Sequence, residues 1–161
     1  MHKAMWGYLF ILFLVASGIF DFRHRMVPNW LVFCGLITSI FIFVFDHENQ
    51  PFGVSWLNGL ISSVSIFLFF LLFYFMGLMG AGDVKFSAAL GAWVGWELLF
   101  LSWALSCAFA LAHGLIVRSD LRYLFFPAIK LEDGSTDRGK RFIPYVTYLS
   151  LATVIVLVMI K

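Results

Sequence analysis

Charged residues are scarce in this sequence: Asp, Glu, Lys and Arg make up only 12% of its 161 residues, whereas 62% are hydrophobic. Soluble domains typically carry about 25% charged residues and more interrupted apolar segments. The net charge is only +2, which argues against nucleic acid as a partner. Several apolar runs are long enough to cross a bilayer, so the sequence predicts an all-α integral membrane protein.

Cysteine is also scarce. Cys34 and Cys107 lie far apart, without Cys-x-x-Cys spacing, which excludes a disulfide framework and a cysteine zinc site. We expect two buried, inert thiols, and we expect neither a metal nor a cofactor. The chain also lacks low-complexity tracts, long linkers and 20–50-residue repeats, so residues 1–161 are predicted to form a single transmembrane domain.

The apolar segments predict a polytopic bundle of about six transmembrane helices. No small-x-small cleavage site precedes the charges after the first segment, which favours a retained helix over a signal peptide. Residues 84–117 are long for one helix and short for two; we expect a break near Gly95, with a single long tilted helix as the alternative. Asn29, after Pro28, is the expected N-cap of the second helix. The predicted spans are 4–20, 30–45, 54–78, 84–96, 97–117 and 142–160.

The basic residues predict the orientation of these helices. Nine of the eleven Lys and Arg residues fall in three connections that six spans place on one side of the membrane. The positive-inside rule makes that side cytoplasmic and puts both termini outside. The nine residues are Arg23, Arg25, Lys85, Arg118, Arg122, Lys130, Arg138, Lys140 and Arg141.

Asp21 and Asp83 each follow a helix that runs toward this cytoplasmic face. Two carboxylates a few ångströms apart cannot easily both ionise, so the pair can share a proton and activate a water. Gly80 and Gly82 lack a Cβ, can adopt positive φ and would let a substrate backbone approach Asp83. Structural roles are equally open from the residues alone: Asp83 as a helix N-cap beside glycines that form a turn, and Asp21 as a juxtamembrane charge paired with Arg23 or Arg25.

Two segments resemble a known family. Gly80-Ala81-Gly82-Asp83 matches the Gly-x-Gly-Asp signature of polytopic aspartyl proteases, and GAGDVKF is similar to the type IV prepilin peptidase form of it. DFRHRMVPNW, residues 21–30, resembles the first-aspartate segment of the same family. The resemblance implies Asp21 and Asp83 as catalytic residues that remove the short basic leader of type IV (Flp-like) prepilins or pseudopilins at the cytoplasmic membrane face.

The short chain is similar to Tad/Flp-type or archaeal-type prepilin peptidases. It lacks the extra cytoplasmic region with paired cysteines, so we expect no N-methyltransferase activity and no S-adenosylmethionine site. Pro144-Tyr145-Val146 only loosely matches the Pro-Tyr-Gly of relatives. Two alternative functions stay open. The first is a presenilin-like intramembrane protease, although Phe20-Asp21 departs from the Tyr-Asp of that group. The second is a non-enzymatic ion- or proton-coupled transporter or assembly subunit.

For other polar residues the sequence gives weaker evidence of a functional role. Lys85 is a candidate for electrostatic support of the aspartates, or a cation at the membrane edge. His113 is expected to be structural. The connection 118–141 is predicted to lie on the membrane surface, where Glu132 and Asp133 are candidates for contact with a basic leader. The sequence does not indicate the oligomeric state.

Overall fold

Every regular element in the described part of the chain is helical. The computed structural model describes residues 2–24, 26–118 and 145–160, and within them there is no β-strand. The predicted connection containing Glu132 and Asp133 lies largely outside the described residues, as do Arg25 and Pro144. The helices are α1 (His2–His24), α2 (Asn29–Phe45), a 3₁₀ turn (His47–Asn49), α3 (Trp56–Phe75), α4 (Ala81–Arg118) and α5 (Tyr145–Met159). The predicted all-α class is confirmed.

Three of the helices are long and apolar enough to cross a membrane. They contain the stretches Lys3–His24, Trp56–Phe75 and Ala81–Leu115. The other two, α2 and α5, are apolar but have only 17 and 15 residues, slightly fewer than the ~20 that span a bilayer core. The six-span count and the orientation therefore remain predictions.

The outer surface of the bundle is apolar. Leu12, Ile37 and Leu115, on three different helices, are 63%, 63% and 70% exposed, as expected for side chains that face lipid. Cys34 lies on this exposed surface and Cys107 is half-buried, and both are free thiols. The prediction that both thiols are buried was wrong, because the position of Cys34 on α2 faces away from the other helices.

Helix α4 is broken at Gly95, where φ is 72° and ψ is −178°. The break expected near this residue is confirmed. Side chains from the α2–α3 connection and from α3 bind the backbone groups on either side of it: Gln50 Nε2 donates to Trp93 O at 2.9 Å, and Asn58 Oδ1 accepts from Trp96 N at 3.2 Å. Two of the backbone groups that the break frees from the helix are therefore bound by side chains of neighbouring segments.

The two halves of α4 fold back beside each other after this break. A Cβ on Gly91 would lie 3.1 Å from Leu99 Cδ2, which places the two halves in contact. The first half also packs on α1, since the rings of Phe13 and Phe86 stack with centroids 5.5 Å apart. These contacts bury the start of α4 in the core beside the end of α1.

The start of α2 differs from the prediction. Pro28 occupies the cap position, its carbonyl accepts from Leu31 N at 3.1 Å, and no side chain caps the helix. Asn29 is the first helical residue and is not the N-cap. Its side chain is engaged elsewhere, since Asn29 Oδ1 accepts from Lys85 Nζ at 3.2 Å.

Candidate active site

Asp83 is brought into the bundle by a tight reversal between α3 and α4. Gly77, with φ 73°, ends α3 in the left-handed conformation. Its N–H donates to Tyr74 O at 3.0 Å, and Leu78 N donates to Phe73 O at 2.9 Å. These two bonds form a Schellman motif, which satisfies the last carbonyls of α3 and turns the chain toward α4.

Asp83 is the third residue of α4 and is 9% exposed. Its Oδ2 accepts from Gly80 N at 3.0 Å, the bond that a third-position acid makes to the cap residue of its own helix. Asp83 thus does stabilise the helix start, although the cap residue itself is Gly80. Neither Gly80 nor Gly82 has positive φ; in this segment only Gly77 does.

Asp21 lies in the last turn of α1 and is 3% exposed. Its Oδ2 accepts from Thr147 N at 2.9 Å and from Thr147 Oγ1 at 3.2 Å. The Thr147 N–H belongs to the first turn of α5, where backbone donors have no partner within the helix. Asp21 is therefore buried and binds a second helix.

The first turn of α5 connects the two aspartates. Thr147 binds Asp21, and α5 also packs against α4, the helix that has Asp83 in its first turn. A further contact agrees. Gly82, beside Asp83, lies close to the connection that follows α1, because a Cβ added to Gly82 would lie 3.8 Å from the backbone N and O of Val27. Both carboxylates thus lie at one end of the bundle, around the start of α5.

Lys85 joins the two sequence segments that contain the aspartates. Its bond to Asn29 links the start of α4 to the start of α2. His113 lies beside Tyr148 of α5, with ring centroids 5.7 Å apart. Within residues 2–24, 26–118 and 145–160, no three His, Cys, Asp or Glu side chains come together in a group that could hold a metal ion.

Sequence reasoning missed Thr147. A threonine in an apolar helix gave no indication that its backbone and side chain bind a carboxylate 126 positions away. The nearby Pro144-Tyr145-Val146 match was the only signal in this region, and it was weak.

The fold and the site define a helical membrane protein with two buried aspartates at one end of its bundle. A profile of the type IV leader peptidase family matches residues 8–115, which include Asp21 and Asp83. The chain belongs to this family. The match ends before α5, so the partner of Asp21 lies outside it.

Curated relatives agree with this assignment. A protein of Pseudomonas aeruginosa is 34% identical over 108 residues, covering 65% of this chain and 37% of its own length. A Vibrio cholerae protein is 31% identical over 124 residues, covering 74% of this chain and 47% of its own. Both are named prepilin leader peptidase/N-methyltransferase. The chain thus spans less than half the length of these relatives, and no solved structure matches it significantly.

Proposed function

We propose that this protein is a membrane aspartic endopeptidase that removes the leader of type IV, Flp-like prepilin precursors. The observation that carries the proposal is the location of Asp21 and Asp83: both are buried, Asp21 binds the first turn of α5, and Gly82, beside Asp83, lies close to the connection that follows α1. Family membership adds the reaction class. The N-methyltransferase activity in the relatives' names is not part of the proposal.

The chemistry follows from two carboxyl groups that share one proton. The ionised carboxylate takes a proton from water as the water oxygen attacks the scissile carbonyl carbon, and the protonated carboxyl gives its proton to the carbonyl oxygen. The resulting tetrahedral intermediate collapses when the C–N bond breaks and the leaving nitrogen takes up a proton. One water and one peptide bond thereby give one carboxyl and one amine, and the protonation of the pair titrates as a unit.

The helix ends support the negative charge that this mechanism needs. Asp83 accepts a backbone N–H at the start of α4, and Asp21 accepts one at the start of α5. The first turn of a helix carries unpaired N–H groups and the positive end of its dipole, which stabilise a nearby anion. Charge on the pair can therefore persist although the site is buried.

We also propose where the site lies in the cell. Six spans, with Gly95 at the outer side and both termini outside, put the aspartates at the cytoplasmic face of the cell membrane. A leader that carries positive charge meets this face before it enters the bilayer. The hydrogen bond from Lys85 to Asn29 keeps the start of α2 beside the site. Gly80 and Gly82 form the backbone next to Asp83.

The test is processing of a prepilin precursor during co-expression, followed by gel shift and mass spectrometry. We expect wild type to remove the leader and both Asp21→Asn and Asp83→Asn to abolish removal while remaining inserted at wild-type levels. Asp46→Asn is the matched control, because Asp46 lies at the opposite end of the bundle and binds Trp6 Nε1 at 2.7 Å.

Each outcome decides a part of the proposal. Processing that persists in either Asn variant removes that aspartate from catalysis. Failure of the wild-type protein to process any Flp-like or type IV precursor favours the transporter or assembly role, in which the carboxylates bind a cation or proton.

A further inference from the structure

Two buried serines lie one helical turn away from the aspartates, toward the middle of the bundle. Ser17 precedes Asp21 by four residues on α1, and Ser87 follows Asp83 by four residues on α4. Residues four apart share a face of a helix, at a separation of about 6 Å along its axis. Each aspartate therefore has a hydroxyl beside it on the side away from the helix end.

A third serine lies in the same region on α5. Ser150 follows Thr147 by three residues and so shares its face. It packs against α1, because a Cβ on Gly18 would lie 3.7 Å from Ser150 Cβ and 3.9 Å from its Oγ. The three helices that form the candidate site thus each place a serine just inside it.

These serines are deeply buried and their hydroxyls lack partners. Ser17, Ser87 and Ser150 are 0%, 0% and 6% exposed, and none of their Oγ atoms makes a hydrogen bond to another group of the described residues. A buried polar group without a partner destabilises a protein by about 1–3 kcal/mol. Three such groups in one region require an explanation.

Some other hydroxyls in the bundle are satisfied within the protein, whereas Ser102 Oγ and the Tyr145 hydroxyl, like the three serines, are buried without a partner among the described residues. Ser106 donates to Trp103 O at 2.7 Å, and Thr153 donates to Leu149 O at 2.7 Å. The helical carbonyls that commonly satisfy serine and threonine are therefore usable in this fold. The three serines beside the site do not use them, so their hydroxyls are available to a molecule that enters from the site.

We propose that Ser17, Ser87 and Ser150 line a hydrated recess that holds water inside the bundle and delivers it to the aspartates. Buried waters typically make about three hydrogen bonds to otherwise unpaired polar groups, which is the number of hydroxyls available here. Hydrolysis consumes one water per cleaved bond. The delivery role rests on the proposed peptidase function, but hydration of the recess does not.

Cysteine labelling tests hydration without any need for activity. In a background with Cys34→Ala and Cys107→Ala, single variants Ser17→Cys, Ser87→Cys and Ser150→Cys are treated with a small water-soluble methanethiosulfonate. Ala16→Cys, Ala88→Cys and Ala152→Cys are controls at matched depth on the same helices. Because only the thiolate reacts, and it forms in water, we expect labelling at the serine positions to be at least about tenfold faster.

Kinetics test delivery. With a prepilin precursor as substrate, we expect Ser→Ala at all three positions to lower kcat by about tenfold and to leave KM within about twofold, because water is needed for the chemical step rather than for substrate binding. Insertion and size-exclusion profiles matching wild type exclude misfolding, and single Ser→Ala variants replace the triple variant if it does not insert.

The outcomes separate the two proposals. Labelling at the serine positions no faster than at the alanine controls overturns the recess. Fast labelling with an unchanged kcat supports the hydrated recess and overturns its role in delivery. If wild type processes no precursor but labelling is fast, the peptidase proposal fails and the hydrated recess stands.

Discussion

At the residue scale, Thr147 binds the Asp21 carboxylate through its backbone N–H, and its hydroxyl donates a shared hydrogen bond to Gly18 O at 3.1 Å and to Asp21 Oδ2 at 3.2 Å. Thr147→Val removes the hydroxyl and retains the side-chain shape and the N–H. Hydrogen bonds to charged groups contribute about 1.5–3 kcal/mol, so we expect kcat for precursor processing to fall by about tenfold or more. Initial rates at saturating precursor measure this effect.

Thr153→Val is the control for this change. Thr153 lies on the same helix, is 1% exposed and bonds only to a carbonyl within α5. We expect it to process precursor at the wild-type rate. An equal loss of activity in both variants would mean that general destabilisation of α5, and not the orientation of Asp21, explains the result.

Lys85 and Asn29 give a second prediction, because their side chains bond to each other across two helix starts. If Lys85 and Asn29 affect processing only through the hydrogen bond between them, Lys85→Met and Asn29→Ala should each lower the processing rate by about two- to threefold. The double variant should then process no more slowly than either single variant. Additive losses would indicate that Lys85 acts on the aspartates independently of Asn29. A double-mutant cycle at matched membrane abundance distinguishes these cases.

The candidate catalytic residues could be selected from the sequence, but their surroundings could not. Asp21 and Asp83 were selected because ionisable residues in or near a membrane are candidates for function and because the two segments that contain them resemble a known family. Thr147 carries no such signal, since its role depends on a contact between the first and last helices. The exposure of Cys34 also depends on which face of α2 meets its neighbours, and the apolar composition of α2 does not indicate that face.

At the scale of the elements, Gly95 sets the path of α4. Its φ of 72° is unfavourable for any residue with a side chain, and a Cβ there would lie 3.0 Å from Val54 Cγ1. We expect Gly95→Ala to lower the free energy of unfolding by about 1–3 kcal/mol and to reduce the midpoint of thermal unfolding in detergent. Circular dichroism during heating measures that midpoint.

Gly114→Ala is the control within the same helix. A Cβ added to Gly114 would meet no other atom within 4 Å, and the φ of Gly114 is not positive. Alanine has the higher helix propensity, so this change should be neutral or slightly stabilising. A loss of stability at Gly114 equal to that at Gly95 would contradict the assignment of strain to the break.

The break itself was predictable while its support was not. Residues 84–117 are too long for one comfortable span, and this length constraint pointed to a break beside Gly95. The groups that stabilise it, Gln50 and Asn58, lie in a loop and in another helix. A polar residue in a turn is ordinarily solvated, so its sequence context gave no reason to place Gln50 against the carbonyl of Trp93.

At the scale of the whole molecule, the proposed placement of Asp21 and Asp83 at one membrane face depends on α2 crossing the bilayer despite its 17 residues, and the proposed outer position of the C-terminus depends on α5 crossing with 15 residues. Three single cysteines in the Cys34→Ala, Cys107→Ala background test this. The variants are Met26→Cys, Glu48→Cys and Ile160→Cys. Their positions come after the ends of α1, α2 and α5 respectively, and all three are exposed. An impermeant maleimide is applied to spheroplasts before and after permeabilisation.

We expect Glu48→Cys and Ile160→Cys to react in intact spheroplasts and Met26→Cys to react only after permeabilisation. Short helices can cross where the bilayer thins or flanking residues reach the interface, at a cost of a fraction of a kcal/mol per ångström of mismatch. Equal reactivity of Met26→Cys and Glu48→Cys would mean that α2 does not cross. In that case α1, which contains Asp21 in its last turn, and α3, which ends shortly before Asp83, would run in opposite directions through the membrane. Such an arrangement is incompatible with a shared site at the cytoplasmic face.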